Sequence, residues 1–412
     1  MSLYGSLFTG VSGLAAQSNA MSMISNNIAN VNTVGYKGNV ASFSSLVTNG
    51  RDTSAYSPGG VLSQAKSTIN QQGILQQTAS GTDMAVTGAG FFVVSRDGNF
   101  TDDLPMYTRA GSFSVDESGF MRNANGFVLM GTAPSATGVF PPTGDVKNLS
   151  PVNVAITDNL ATPTSKASMV MNLNAGDDIT PVAAPQTFNF SRAMTVYDSL
   201  GGPHNLQLDF RKTAANQWEV TTGAMTAAGT PAAAPMTIDF DPATGTPTAA
   251  SSFDLSQIDW GNGSASQDIS VDLSKMTQFA AASSVTNVDQ NGSELGRRMG
   301  ISVSDDGYVT ANFSNGETQR LYRVDLATFV NPEGLEEKSG NVYIETETSG
   351  GNNIRSAGSN GAGVISASAL ESSNIDLAEE FSRMIVTQRA YSANTKTIST
   401  ADQMLTELLQ LR

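Results

Sequence analysis

Residues 3–31 read LYGSLFTGVSGLAAQSNAMSMISNNIANV, and this stretch, with its counterpart at the other end of the chain, decides the fold. No side chain from residue 1 to 36 is charged; the first that is charged is Lys37. Ser, Asn, Gln, Thr and Gly nevertheless interrupt the segment too often for the run of about 20 apolar residues that a membrane span needs. Its apolar residues recur in sevens instead: Leu7, Leu14, Met21 and Ile28, with Leu3, Ile24 and Val31 on the flanking row. The same period returns at the C-terminus as Leu370, Leu377, Met384, Tyr391, Ile398 and Leu405. Period seven marks a helix that buries a narrow seam against another helix.

A seam of one residue per two turns holds a helix poorly in water. The N-terminal segment is also a weak helix former, with Gly5, Gly10, Gly13 and many Ser and Asn. At 1.5 Å per residue, 3–31 would form a rod of roughly 43 Å that needs a packing partner. The pattern allows two arrangements. The two ends pair as a hairpin inside one molecule, or they pair within the chain and also with copies of it. Under the second, both termini are expected to be partly helical in the free subunit and ordered on assembly.

Hydrophobic residues make up 39% of the chain and charged ones only 14%, so Ser, Thr, Asn, Gln and Gly must cover most of the surface. A net charge of −15 argues against nucleic acid and against anionic membranes, both of which need a basic face. The absence of cysteine excludes disulfides, thiolate catalysis and cysteine metal sites. The N-terminus has neither a basic flank nor a continuous apolar core, so an exported chain is expected to leave by a route that does not cleave its end.

Between the helices the chain reads as β-structure. Strands are predicted at 84–87, 91–95, 106–109, 112–115 and 126–130, then at 187–192, 194–197, 205–211, 217–221 and 236–240, and finally at 300–304, 308–313, 320–329 and 342–346. Turn signals such as Asp97-Gly98-Asn99 and Asp305-Asp306-Gly307 separate them. The last helix is expected to begin near Ser368. The fold class is therefore mainly β and multidomain with α-helical termini that pair as a coiled coil, two β-domains being nested by insertion. Residues 1–36 plus 365–412 form the terminal helical domain and 37–70 plus 350–364 the connector. Residues 71–145 plus 284–349 form the core β-domain, and 146–283 an inserted outer β-domain.

Candidate chemistry is sparse. His204, the single histidine, lies beside Gly202-Pro203 and reads as part of a turn. Gly88-Ala89-Gly90 is followed by Phe91-Phe92 and lacks the third glycine of a dinucleotide fingerprint. Asp177-Asp178, Asp305-Asp306 and the Asp239/Asp241 pair lack the alternating ligands and distant Glu of a calcium loop. Glu379-Glu380 lies off the heptad row and reads as a solvated face. No catalytic, cofactor-binding or metal-ligating set is assigned, and no cofactor is expected.

The residues also carry a resemblance. Ser25-Asn26-Asn27-Ile28-Ala29-Asn30-Val31-Asn32-Thr33-Val34-Gly35-Tyr36-Lys37 resembles the N-terminal signature of the bacterial flagellar rod and hook proteins. Ile375-Asp376-Leu377-Ala378-Glu379-Glu380-Phe381 and Thr387-Gln388-Arg389-Ala390-Tyr391-Ser392-Ala393-Asn394 resemble its C-terminal signature. Gly90-Phe91-Phe92-Val93-Val94 and Tyr107-Thr108-Arg109-Ala110-Gly111-Ser112-Phe113 are similar to the family's core β-domain. Thr195-Val196-Tyr197-Asp198-Ser199-Leu200-Gly201-Gly202, with Trp218-Glu219-Val220, resembles the outer domain that the hook members carry and the shorter rod members lack. Residues 223–282 match no pattern of the family.

The resemblance implies a self-assembling subunit of a curved helical tube outside the cell, a flexible joint that passes torque from rod to filament. Its partners would be copies of itself, the flagellar rod, the hook cap, the hook–filament junction and the type III export gate, with no nucleic acid and no membrane insertion. The heptad rows would then be the polymerisation seam, and Phe43-x-x-x-Val47 resembles the short element such subunits present to the export gate. Packing of Phe43 and Val47 on the wall domain is the competing reading. Outside this reading stand a distal rod protein with an insert, and a secreted β-rich adhesin or carbohydrate-active enzyme.

Overall fold

The computed structural model describes residues 3–46, 59–98, 104–135, 137–155, 159–181, 187–223, 234–359 and 361–410. It divides into two compact units, Met1–Ile156 with Ile301–Ala311 and Gln319–Arg412, and Thr157–Gly300 with Asn312–Thr318. The fold is mainly β, with a helix at each end of the chain, α1 (Leu3–Ala29) and α2 (Leu377–Gln410), packed together.

The first unit holds both helices. The segment expected as a connector contains a two-stranded ribbon, in which β1 (Asn39–Ser45) runs antiparallel to β2 (Val61–Ser67) with Phe43 opposite Ser63. Most of its residues stay exposed or half-buried, so no alternation of apolar residues announced it. Next along the chain come β3 (Leu75–Gln77), β4 (Met84–Thr87), β5 (Phe91–Ser95) and β6 (Met106–Thr108). β5 lies inside a ten-stranded sheet, between β6 and Val128–Gly131, and also pairs with Asp325–Thr328. Buried along its whole length, it reads as an unbroken Phe-Phe-Val-Val run instead of alternating. Phe91, Tyr107, Tyr343 and Ile354 fill the core, and Tyr107 and Phe329 meet edge-on at 4.8 Å.

The second unit has one core shared by two sheets. Phe190–Tyr197, Pro203–Ala214, Gln217–Thr222 and Met236–Asp239 form an antiparallel meander. Lys166–Asn174 centres the other sheet and alternates strictly, burying Ala167, Met169, Met171 and Leu173. These pack with Leu206, Leu208, Phe210 and the fully buried Trp218. Residues 223–282, where the sequence shows no pattern of the family and predicts one strand at 236–240, also supply Ser252–Ile258, Gln267–Asp272 and Thr277–Phe279 to this second sheet.

The last helix does not begin near Ser368. Ala369–Glu371 is a strand paired with β3, and α2 starts at Leu377. Asp376 sets the start, its Oδ1 accepting from the Ala378 and Glu379 amides at 2.8 and 3.2 Å. Leu370 therefore stands in a strand ahead of the helix that carries the rest of its row.

Candidate assembly interface

α1 and α2 run antiparallel. A Cβ on Gly10 would lie 2.9 Å from Ile398 Cγ1 and one on Gly13 2.8 Å from Asn394 Nδ2, while Asn27 reaches Glu380. The face of α1 that this buries consists of Gly10, Gly13, Ala16, Ala20, Ile24 and Asn27. On α2, Glu380, Thr387 and Ala401 are buried. Small side chains let the two backbones approach closely, which is why a helix this poor in intrinsic propensity keeps its glycines.

The Leu7, Leu14, Met21 and Ile28 row lies about a quarter turn round α1 from that face, at roughly 100° per residue, and all four are half-buried. On α2, Met384, Ile398 and Leu405 are half-buried, whereas Leu377 and Tyr391 are exposed. Phe8, at 59% exposed, and Val11, at 56%, stand on the side of α1 opposite α2. Phe381, Ile385 and Val386 are exposed on α2. The pairing of the two helices thus leaves large apolar side chains uncovered near both ends of the pair. Phe43 is exposed on β1; Val47 lies outside the described residues.

Beneath the helices is a buried polar junction that periodicity does not announce. Lys37 and Glu371 are both fully buried, Nζ 2.5 Å from Oε1, and Arg109 Nη1 lies 3.4 Å from Oε2. Lys37 also donates to Gln71 O at 2.6 Å, and Arg109 Nη2 to Gly88 O at 2.7 Å. Burial pulls the Lys37 amine below its usual range, with Glu371 opposing, and acts likewise on Arg109. Asn374 Oδ1 accepts from the Gly38 amide at 2.9 Å, while its amide group donates to Thr68 O and Oγ1. Asn27 bonds the Asn39 backbone in both directions and donates to Glu380 Oε2 at 3.4 Å. Tyr36 gives its hydroxyl to Asn27 Oδ1; burial, with the charges of Glu337 and Glu380, pushes it up to about 12.

Glu380 is thus not a solvated residue. It is buried between Asn27 and Arg383, while Glu379 beside it is exposed. The chain turns into this junction at Gly35, whose φ of +68° and a Cβ position 2.6 Å from Ala110 N leave no room for a side chain. The legible signal for the junction was residue type. A first charge at Lys37 after an uncharged helix is unusual enough to ask for a buried partner.

In the second unit, His204 opens Pro203–Ala214, and its Nε2 donates to Asp198 Oδ2 at 2.8 Å. Its ring stacks on Trp260 at 4.1 Å. Asp198 also accepts from the Leu200 and Gly202 amides and from Asn262, which ties loop 259–265 to the turn at 198–202. Burial works to raise the Asp198 carboxyl, but the His204, Asn262, Gly202 and Leu200 hydrogen bonds outweigh it and hold the group at about 2. The geometry is that of a braced turn.

Four family descriptions match in chain order. They are "Flagella basal body rod protein" over 7–37, "Flagellar hook protein FlgE/F/G D1 domain" over 85–165, "Flagellar basal body protein FlaE D2 domain" over 172–293 and "Flagellar basal body rod FlgEFG protein C-terminal" over 366–411. The flagellar hook protein FlgE of Rhizobium meliloti is 36% identical, with 100% of each chain covered. That of Escherichia coli K12 is 34% identical, with 98% of each covered. The crystal structure of Helicobacter pylori FlgE2, at 15% identity, shares the fold with a TM-score of 0.51 over 72% of this chain and 100% of its own. Full-length identity above 30% and matches at both helices and both β-units show that the chain belongs to the flagellar hook protein family, a structural and non-enzymatic one.

Proposed function

We propose that copies of this chain assemble into the curved tube of an extracellular flagellar hook, a flexible joint that passes torque from rod to filament. The observation that carries the reading is the surface of the terminal helices. Phe8, Val11, Leu377, Phe381, Ile385 and Tyr391 stay exposed after α1 and α2 have paired, and α1 carries no charge to keep Phe8 and Val11 solvated. Such a surface needs a partner, and a copy of the chain supplies the same chemistry. A contact between unlike patches on identical copies propagates as a filament when its rotation does not close a ring.

In this reading α1 and α2 line the channel of the tube. The heptad residues take part in contacts between copies. The two ends of the tube meet the rod and the hook–filament junction, with a cap at the growing tip. The subunit leaves the cell unfolded through the type III export gate, to which Phe43 and Val47 are presented.

Electron microscopy of the purified subunit under assembly conditions tests the proposal, together with complementation of cells lacking their own hook subunit. Tubes and restored motility are the expected results. A subunit that stays monomeric at high concentration and restores nothing refutes the reading.

A further inference from the structure

One groove in the first unit has no occupant among the described residues. It lies where α1, β1 and α2 meet, holds about 320 Å³, and is walled by Met23, Ile24, Val40, Phe43 and Val386. Its rim carries Glu379, Glu380 and Arg383. Each of these charges already has a partner within the subunit, Arg383 donating to Glu379 Oε1 at 2.5 Å and to Glu380 Oε1 at 3.1 Å. What fills the space between the apolar walls needs to be apolar itself.

The chain presents such a group elsewhere on its surface. Phe8 and Val11 are both more than half exposed, one turn apart on a helix without charge. They lie on the order of 20 Å along α1 from the groove, at 1.5 Å per residue. Knob and groove therefore cannot meet within one molecule.

We propose that Phe8 and Val11 of one copy seat in the groove between α1, β1 and α2 of the next. The inference rests on the tube reading above and names its mating surfaces. Because knob and groove are unlike patches, the contact is heterologous, the kind that an open helical tube requires. Phe43 then forms part of a subunit contact in the assembled tube, whatever its role before assembly.

The cysteine-free chain makes the test direct. Phe8→Cys with Val386→Cys, oxidised in assembled tubes, should give a ladder of disulfide-linked multimers on a non-reducing gel. The single variants should give none. The monomer should not close on itself, because a disulfide needs Cβ atoms about 4 Å apart. If this pair prevents assembly, Phe8→Cys with Met23→Cys carries the same test. Independently, Phe8→Ala should raise the critical concentration for assembly about tenfold or more and leave monomer circular dichroism unchanged. Tubes without a ladder, or an unchanged critical concentration, overturn this pairing and leave the tube reading standing. Wild-type subunit that forms no tubes overturns both.

Discussion

Lys37, the first charged residue of the chain, meets Glu371 more than three hundred positions later, Nζ 2.5 Å from Oε1 with both side chains fully buried. Arg109 shares the same carboxylate, so two buried cations depend on one anion. Glu371→Gln should therefore cost about 3–5 kcal/mol, the usual penalty for stranding buried charge. Lys37→Met leaves Arg109 and Glu371 balanced and should cost less than half as much. Urea unfolding followed by circular dichroism compares the two, and equal losses would mean that the imbalance of charge is not what governs this junction.

Asp198 gives the second unit a definite acid dependence. Its folded value of about 2 lies below the ordinary 3.8, so the unfolded chain binds the proton first. The stabilisation is fully present above about pH 4 and is lost as the pH falls through 2, an effect on the order of 2 kcal/mol. Both tryptophans, Trp218 and Trp260, lie in this unit, so their fluorescence isolates it. Asp198→Asn should weaken the acid transition, leaving the part that Asp254 and Asp272 contribute through their own hydrogen bonds, and a variant that titrates like the parent contradicts the assignment.

Gly13→Val places a branched side chain where even a Cβ would lie 2.8 Å from Asn394 Nδ2. The helices must separate there, so amide exchange in α1 should quicken by an order of magnitude or more, about 1.4 kcal/mol per tenfold change. The Phe91–Tyr343 core should keep its protection. Unaltered exchange in α1 would show that the approach at Gly13 is not required.

Leu377→Asp alters a residue already exposed in the subunit. It should leave the free protein as stable as the parent and yet abolish tubes, because assembly would bury an unpaired carboxylate. Leu14→Asp should also abolish them, with a modest loss of stability because Leu14 is half-buried. Sedimentation and electron microscopy decide, and normal tubes from both variants would remove the heptad rows from the interface.

Phe43 is about half exposed on β1, so Phe43→Ala should change stability by well under 1 kcal/mol. Secretion into the medium of cells blocked in hook assembly should fall if the unfolded chain shows Phe43 to the export gate. Full secretion of a double Phe43→Ala, Val47→Ala variant would confine these residues to packing and assembly.

The sequence by itself determined the elements whose cause is local. The limits of β4, of β5 and of Tyr308–Phe313 follow from short apolar runs bounded by Gly and Asp turns. Period seven announced a helix at each end that needs a packing partner, and membership of the rod and hook family was legible in the residues around Asn27, Gly35 and Leu377. Only the tertiary structure decided what depends on residues far apart in the chain. The ribbon of β1 and β2 is stabilised by partners across an intervening segment and shows no apolar alternation. Ala369–Glu371 carries a helical period yet becomes a strand, because β3 offers it hydrogen bonds and Lys37 and Arg109 hold its carboxylate. The face that α1 buries against α2 is one of glycine, alanine and Asn27, beside the leucine row, because close approach rewards small side chains. Which large apolar residues then stay exposed, and so face other copies, is settled by that approach and cannot be read from their spacing.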